Sequence, residues 1–265
     1  MLLHAIIIVM IDCDKEYLLL AGENNEPEIF YTLEGEGEFV GQPSVFLRLF
    51  GCNLTCKGFI SEDAPYGCDS FISWSKKNKL TFNELFELME EKNFIEHLRE
   101  GAIFKYTGGE PMVRQKQLLK FTEAFIERYD FLPRIDFETN ATIMPDPRWR
   151  GEFEATFTTS PKLTNNGDPE EKTYVPEVLK WHARAWSGFK FVIQSSEDIE
   201  EIWRKYIKDE NGINIPLDRV WFMPCAGSRK EHIKNAEAVA EYAKAMHVNF
   251  SPRLHLLLWD MALRV

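Results

Sequence analysis

Residues 44–68 read SVFLRLFGCNLTCKGFISEDAPYGC, and the reading of the whole chain turns on this stretch. Its opening, residues 44–50, alternates well enough for a β-strand, and the strand runs directly into Gly51 and Cys52. Between Cys56 and Cys68 lies GFISEDAPYG (58–67), whose Gly, Pro, Ser and Asp content is loop chemistry. Cys52, Cys56 and Cys68 therefore share one long loop after a strand. Three thiolates in close company repel one another and stay protonated unless a soft cation accepts them. Three protein ligands leave a coordination position open, which suits a centre that also binds a small molecule. Zinc takes the same ligands, usually with a fourth Cys or His. The nearest downstream histidine, His97, lies well past the loop on a predicted helix. Spacing alone leaves a zinc site and an open iron–sulfur site as alternatives.

The remaining cysteines, Cys13 and Cys225, sit beside apolar stretches and read as small core residues. An odd total of five, three of them within seventeen residues, argues against a secreted disulfide framework. The 265 residues are 45% apolar, enough for a full core without staples, and fit one large α/β domain or two small ones. The net charge of −11 and the lack of a long Lys/Arg run argue against a non-specific grip on nucleic acid. A small-molecule substrate fits better. The N-terminal MLLHAIIIVMID has an apolar run only over residues 5–11, with no basic lead or cleavage site, far too short to span a bilayer. It is expected to be a buried strand, and the protein to be soluble and cytoplasmic, with no membrane partner.

Outward from the cysteine loop the chain alternates. Residues 12–27 are polar around an apolar patch at 17–21 and read as a hairpin or appendage. Thr81 and Glu84 form a capping box for a helix with apolar positions at Phe82, Leu85, Phe86, Leu88, Met89 and Phe94. Strands are expected over 102–106, 134–138, 153–159, 189–193, 220–223 and 253–258, with helices over 114–129, 197–207 and 231–246. Such alternation implies a mostly parallel sheet with helical crossovers, functional loops lying at the carboxyl ends of its strands. Residues 162–186, rich in Pro, Asn, Glu and Lys, break the rhythm and read as an insertion on the rim.

A second signal lies at Thr107-Gly108-Gly109-Glu110-Pro111, after the strand at 102–106. Taken alone, the Gly-Gly pair is a tight turn. After a three-cysteine loop in a β/α chain, it reads as a strand end whose backbone and Glu110 carboxylate receive a ligand's ammonium group. At this point the chain resembles the radical S-adenosylmethionine superfamily. More narrowly, it resembles the 7-carboxy-7-deazaguanine synthase family. The resemblance covers roughly residues 30–259. It is carried by FYTLEGEGEFVGQPSVFLRLFGCNLTC (30–56), CDS (68–70), TGGEP (107–111), ETNAT (138–142) and SPK (160–162). MPCAG (223–227) and SPRLHLLLW (251–259) add support. The chain departs from the family in four places. Eleven residues separate Cys56 from Cys68, Gly67 stands where an aromatic normally packs on the adenine, Glu34 replaces a glutamine, and Ser70 replaces a threonine.

The resemblance implies an open β/α barrel, with residues 28–265 as the catalytic domain and 1–27 as an extension packed on it. It implies a 4Fe–4S cluster on Cys52, Cys56 and Cys68 whose open iron binds S-adenosylmethionine. Gly67, Asp69, Gly108, Gly109, Glu110, Ser160, Pro161, Lys162, Met223 and Pro224 match positions lining that cofactor, and Tyr66 is expected to take over the adenine contact. Leu33, Glu34, Gly35, Arg48, Thr107, Glu138 and His255 match the substrate side, Arg48 holding the substrate carboxylate. Ser70 would supply an oxygen to Mg²⁺. The implied reaction is a carbon–nitrogen lyase step. It converts 6-carboxy-5,6,7,8-tetrahydropterin to 7-carboxy-7-deazaguanine with loss of ammonia, in deazapurine (queuosine-type) biosynthesis. An electron donor such as flavodoxin and a homodimer are implied with it. Two alternatives are a glycyl-radical activating enzyme of the same superfamily and a non-catalytic zinc-binding module. The first lacks the LxGEGxxxGxP lead-in seen at Leu33 to Pro43.

Overall fold

A computed structural model describes residues 11–22, 26–62, 64–68, 70–185, 187–208 and 212–262. The strand expected over residues 5–11 falls almost wholly outside them. Ten strands form one sheet: β1 (Tyr17–Ala21), β2 (Ile29–Leu33), β3 (Pro43–Leu49), β4 (Lys77–Thr81), β5 (Ile103–Gly108), β6 (Ile135–Thr139), β7 (Thr156–Thr159), β8 (Gly188–Ile193), β9 (Val220–Pro224) and β10 (Asn249–Phe250). From β3 the order runs β5, β6, β7, β8, β9, β10, each pair parallel. On the other side of β3, β2 and β1 pair antiparallel, and β4 pairs antiparallel with β1. The apolar patch at 17–21 is thus a strand of the main sheet. Among the described residues no pairing joins the two ends of the sheet, so the barrel stays open.

Side chains of a strand alternate between its two faces, and the sequence uses that period to separate core from site. Val45, Leu47 and Leu49 of β3, Phe104 and Tyr106 of β5, Ile135 and Phe137 of β6 and Phe157 of β7 are all buried in one apolar cluster. Helices Phe82–Glu91 and Gln115–Tyr129 cover it, contributing Phe82, Phe86, Phe121 and Phe125. Phe189, Phe191 and Ile193 of β8 join Val220 and Phe222 of β9 in a second cluster under helices Pro176–Arg184 and Arg229–Met246. The intervening residues, among them Arg48, Lys105, Thr107, Asp136, Glu138, Thr158 and Lys190, take the opposite face.

The capping box at Thr81 is present, with Glu84 N–H donating to Thr81 Oγ1 and Thr81 N–H to Glu84 Oε2. That helix ends at Glu91; Asn93 adopts φ 60°, and Phe94 begins a separate short helix, Phe94–Arg99. The segment expected on the rim divides in two. Residues 162–168 lie against the cysteine loop, while helix Pro176–Arg184 buries Val178 and Leu179 as the crossover from β7 to β8. One expectation is corrected outright. Residues 253–258 are not a strand but helix Leu254–Trp259, because the LHLLLW run lacks alternation and buries only Leu256. The strand at that end is the two-residue β10, just upstream.

Candidate active site

The inward face opens into a cavity of about 450 Å³ at the carboxyl ends of the parallel strands. A charge lattice lies behind its lining and reaches it through Glu34, Glu36, Glu138 and Arg253. Lys105, on β5, is paired in register with Asp136 on β6, and its Nζ lies 2.6 Å from Asp136 Oδ2 and 2.7 Å from Glu34 Oε2. Burial opposes charge on this lysine, but Asp136 and Glu34 outweigh it and raise its pKa. Lys190, on β8, bridges Glu36 and Glu138, with 2.6 Å to Glu138 Oε1. Arg253 Nε donates to the other oxygen of Glu36 at 2.8 Å. Burial would push the Glu36 carboxyl up; Lys190 and then Arg253 override it and hold it well below the usual carboxylate range. Glu138 is lowered in the same way by Lys190. Both carboxylates are therefore ionised at neutral pH. A buried charge needs such partners, since an unpaired one is very costly.

Nearer the opening, Arg48 Nε lies 2.9 Å from Glu28 Oε2, and both residues line the cavity. Arg48 stands opposite Thr107 in the register of β3 with β5. Thr107 Oγ1 donates to Glu138 Oε2 at 3.4 Å. His255 Nε2 is 4.0 Å from Glu36 Oε1. It packs against bare backbone: a Cβ on Gly35 would stand 2.4 Å from His255 Nδ1 unless the imidazole moved.

The cysteine loop closes the other wall. Gly109 N–H donates to Leu49 O and Glu110 N–H to Gly51 O, tying the TGGE turn to the root of the loop. A Cβ on Gly109 would meet Gly51 O at 1.9 Å, so bare backbone is required there. Asp168, from the segment after β7, accepts from the backbone N–H groups of Thr55 and Cys56 at 3.0 and 2.8 Å. Burial would raise the pKa of this carboxyl; these hydrogen bonds lower it. Gly67, at φ 83°, packs so closely that a Cβ would lie 2.4 Å from Cys56 O.

All three loop sulfurs accept an N–H: Cys52 Sγ from Leu54 N at 3.4 Å, Cys56 Sγ from Asn166 Nδ2 at 3.7 Å, and Cys68 Sγ from Trp74 Nε1 at 3.3 Å. Burial pushes the Cys52 thiol up to about 12, and Glu110, Cys56 and Cys68 add to the shift. A thiol buried in this way gives up its proton only to a cation that takes the sulfur. Among the described residues no three His, Cys, Asp or Glu side chains converge as a single-ion site. Three cysteine sulfurs on one cavity wall are a donor set of the kind that holds an iron–sulfur cluster.

The cavity gathers most of the residues expected at a site. Leu33, Glu34, Gly35, Arg48, Cys52, Cys56, Tyr66, Cys68, Ser70, Thr107, Gly108, Gly109, Glu138, Ser160, Lys162 and His255 all line it. Tyr66 is exposed and stacks on Phe71 at 5.1 Å. Lys162 Nζ donates to Ser160 Oγ at 2.8 Å. Glu34 reaches the cavity only at its edge, because Oε1 accepts from Gly35 N–H and Glu36 N–H while Oε2 faces Lys105. Glu110, Gly67, Pro161, Met223 and Pro224 do not line the cavity. The Glu110 carboxylate, 1% exposed, accepts from Met112 N–H, Thr139 Oγ1 and Asn140 N–H, so it fastens the turn. Asp69 is outside the described residues. Sequence reasoning passed over Glu28, Glu36, Trp74, Asn140, Asn166, Asp168, Lys190 and Arg253. Lys190 carried a usable signal, a lone charge at an alternate position of the apolar strand GFKFVI.

These features define an enzyme with an open β/α barrel of the radical S-adenosylmethionine type, its cavity built between a cysteine loop and a charged wall. A 7-carboxy-7-deazaguanine synthase of Hyperthermus butylicus is 31% identical to the chain over 87% of its length and 90% of the relative's. One of Pyrobaculum aerophilum is 30% identical over 89% and 94%. The crystal structure of QueE from Escherichia coli superposes with a TM-score of 0.55 at 20% identity, covering 88% of this chain and 92% of that one. No protein-family model matches. The chain belongs to the 7-carboxy-7-deazaguanine synthase family.

Proposed function

We propose that this chain converts 6-carboxy-5,6,7,8-tetrahydropterin to 7-carboxy-7-deazaguanine with release of ammonia, in a deazapurine (queuosine-type) route. The observation that carries the reading is one cavity bounded on one side by Cys52, Cys56 and Cys68 and on the other by Arg48, Glu138 and His255. The three cysteines would hold a 4Fe–4S cluster, and Gly108, Gly109, Ser160 and Lys162 would seat S-adenosylmethionine beside it. When bound, the pair supplies a one-electron cleavage of the sulfonium that generates a hydrogen-abstracting radical. The chain's own residues bind and orient. Arg48 takes the substrate carboxylate in a planar pairing, exchanging some of its contact with Glu28. Glu138, kept ionised by Lys190, accepts from the donor edge of the pterin, and Thr107 and His255 flank it. Ser70 would offer its hydroxyl to a Mg²⁺ ion that otherwise keeps water or substrate oxygens. A flavodoxin-class electron donor, a homodimeric state and a cytoplasmic setting belong to the same proposal. Among the described residues no helix is long and apolar enough to cross a membrane.

The test is anaerobic reconstitution with iron and sulfide, then incubation of the reduced protein with S-adenosylmethionine and the carboxytetrahydropterin. A deazapurine product in the mass spectrum is the expected result. Accumulation of 5′-deoxyadenosine without it would show the substrate to be wrong. A protein that gains no visible cluster absorbance and carries stoichiometric zinc would reject the cluster.

A further inference from the structure

Two of the three N–H···S contacts at the cysteine loop come from side chains outside the family motif. Asn166 is fully buried, and its amide is locked end for end. Its Oδ1 accepts from Asp168 N–H at 2.9 Å, which leaves Nδ2 to donate to Asp168 Oδ2 at 3.0 Å and to Cys56 Sγ. Trp74 closes the short helix Phe71–Trp74 that follows the enlarged loop. Its ring meets Phe71 edge-on at 5.0 Å, and its indole nitrogen, which can only donate, is aimed at Cys68 Sγ.

We propose that Trp74 and Asn166 are positioning residues that set the reduction potential of the iron–sulfur centre by donating N–H groups to two of its thiolates. The inference rests on the cluster reading above. An added electron spreads onto the thiolate sulfurs, so a donor aimed at each sulfur stabilises the reduced state more than the oxidised one. The potential then moves upward, toward easier reduction. Trp74 lies six residues beyond Cys68, and the short helix Phe71–Trp74 is what brings its indole back to that sulfur.

The experiment is a redox titration of reconstituted protein, followed by visible absorbance and electron paramagnetic resonance, on wild type, Trp74→Phe, Trp74→His and Asn166→Leu. Iron content and far-ultraviolet circular dichroism are measured alongside. Trp74→Phe keeps the aromatic packing and loses the donor, so it is expected to load iron fully and titrate at a more negative midpoint. Trp74→His keeps a ring N–H and is expected to restore part of the shift. Asn166→Leu is expected to shift in the same direction; if it loads no iron, the Trp74 pair decides alone. A loaded Trp74→Phe protein with the wild-type midpoint, or a shift that Trp74→His leaves unreversed, overturns the proposal and leaves the function standing. Wild-type protein that takes up neither iron nor sulfide overturns both.

Discussion

Arg48 shows how a single side chain joins the sheet to the cavity. Its backbone belongs to β3, its Nε meets Glu28, and its side chain lines the cavity. If Arg48 holds the substrate carboxylate as proposed, replacing it with alanine is expected to remove a charge-assisted contact of about 1.5–3 kcal/mol, equivalent to roughly ten- to a hundredfold in KM. Iron content is expected to stay at the wild-type level, since Arg48 does not touch the cysteine loop through any bond described above. Steady-state kinetics together with an iron assay check this, and loss of iron would move Arg48 to a structural role. Arg48→Lys is expected to recover little, because an ammonium does not reproduce the planar fork.

Among elements, the alternation of the parallel strands governs stability as well as placement. Lys190→Met leaves Glu36 and Glu138 without their shared cation. Breaking a buried ionic group of this kind costs about 3–5 kcal/mol. Urea unfolding is the measurement, and the double variant with Glu36→Gln is expected to recover part of the loss. The crossover helix carries a second titrating group. His182 is fully buried, with Nδ1 3.1 Å from Ser187 Oγ, and burial drives its pKa down from 6.5 to about 3. The unfolded chain binds the proton first, so stability falls as pH drops below 6.5. The loss reaches roughly 2 kcal/mol near pH 5. Thermal unfolding as a function of pH is expected to flatten across that interval in His182→Gln.

The same elements show what the sequence made legible. Strands β3, β5, β6, β8 and β9 were readable because long apolar alternation has few other solutions. Strands β2 and β4 were not, since IFYTL and KNKLT are short and their pairing is decided by distant partners. The 254–259 helix was misread because a short continuous apolar run carries no period. At the site, the cysteines, the TGGE turn and Arg48 were visible as motif residues. Glu36, Lys190 and Arg253 come together from three distant parts of the chain, a convergence only the fold supplies.

At the scale of the molecule, two apolar clusters and a charge-paired lattice fill the interior of the barrel. Stripping the iron with a chelator is therefore expected to leave one cooperative unfolding transition and an unchanged far-ultraviolet spectrum. A small metal-nucleated domain would instead collapse with its ion. Calorimetry of the stripped and loaded forms distinguishes the two.

The reach of Asp168 back to Cys56 spans 112 residues of chain. While the protein is still emerging from the ribosome, the cysteine loop is made long before the carboxylate that braces it. The loop therefore reaches its braced shape only after residue 168 has been made.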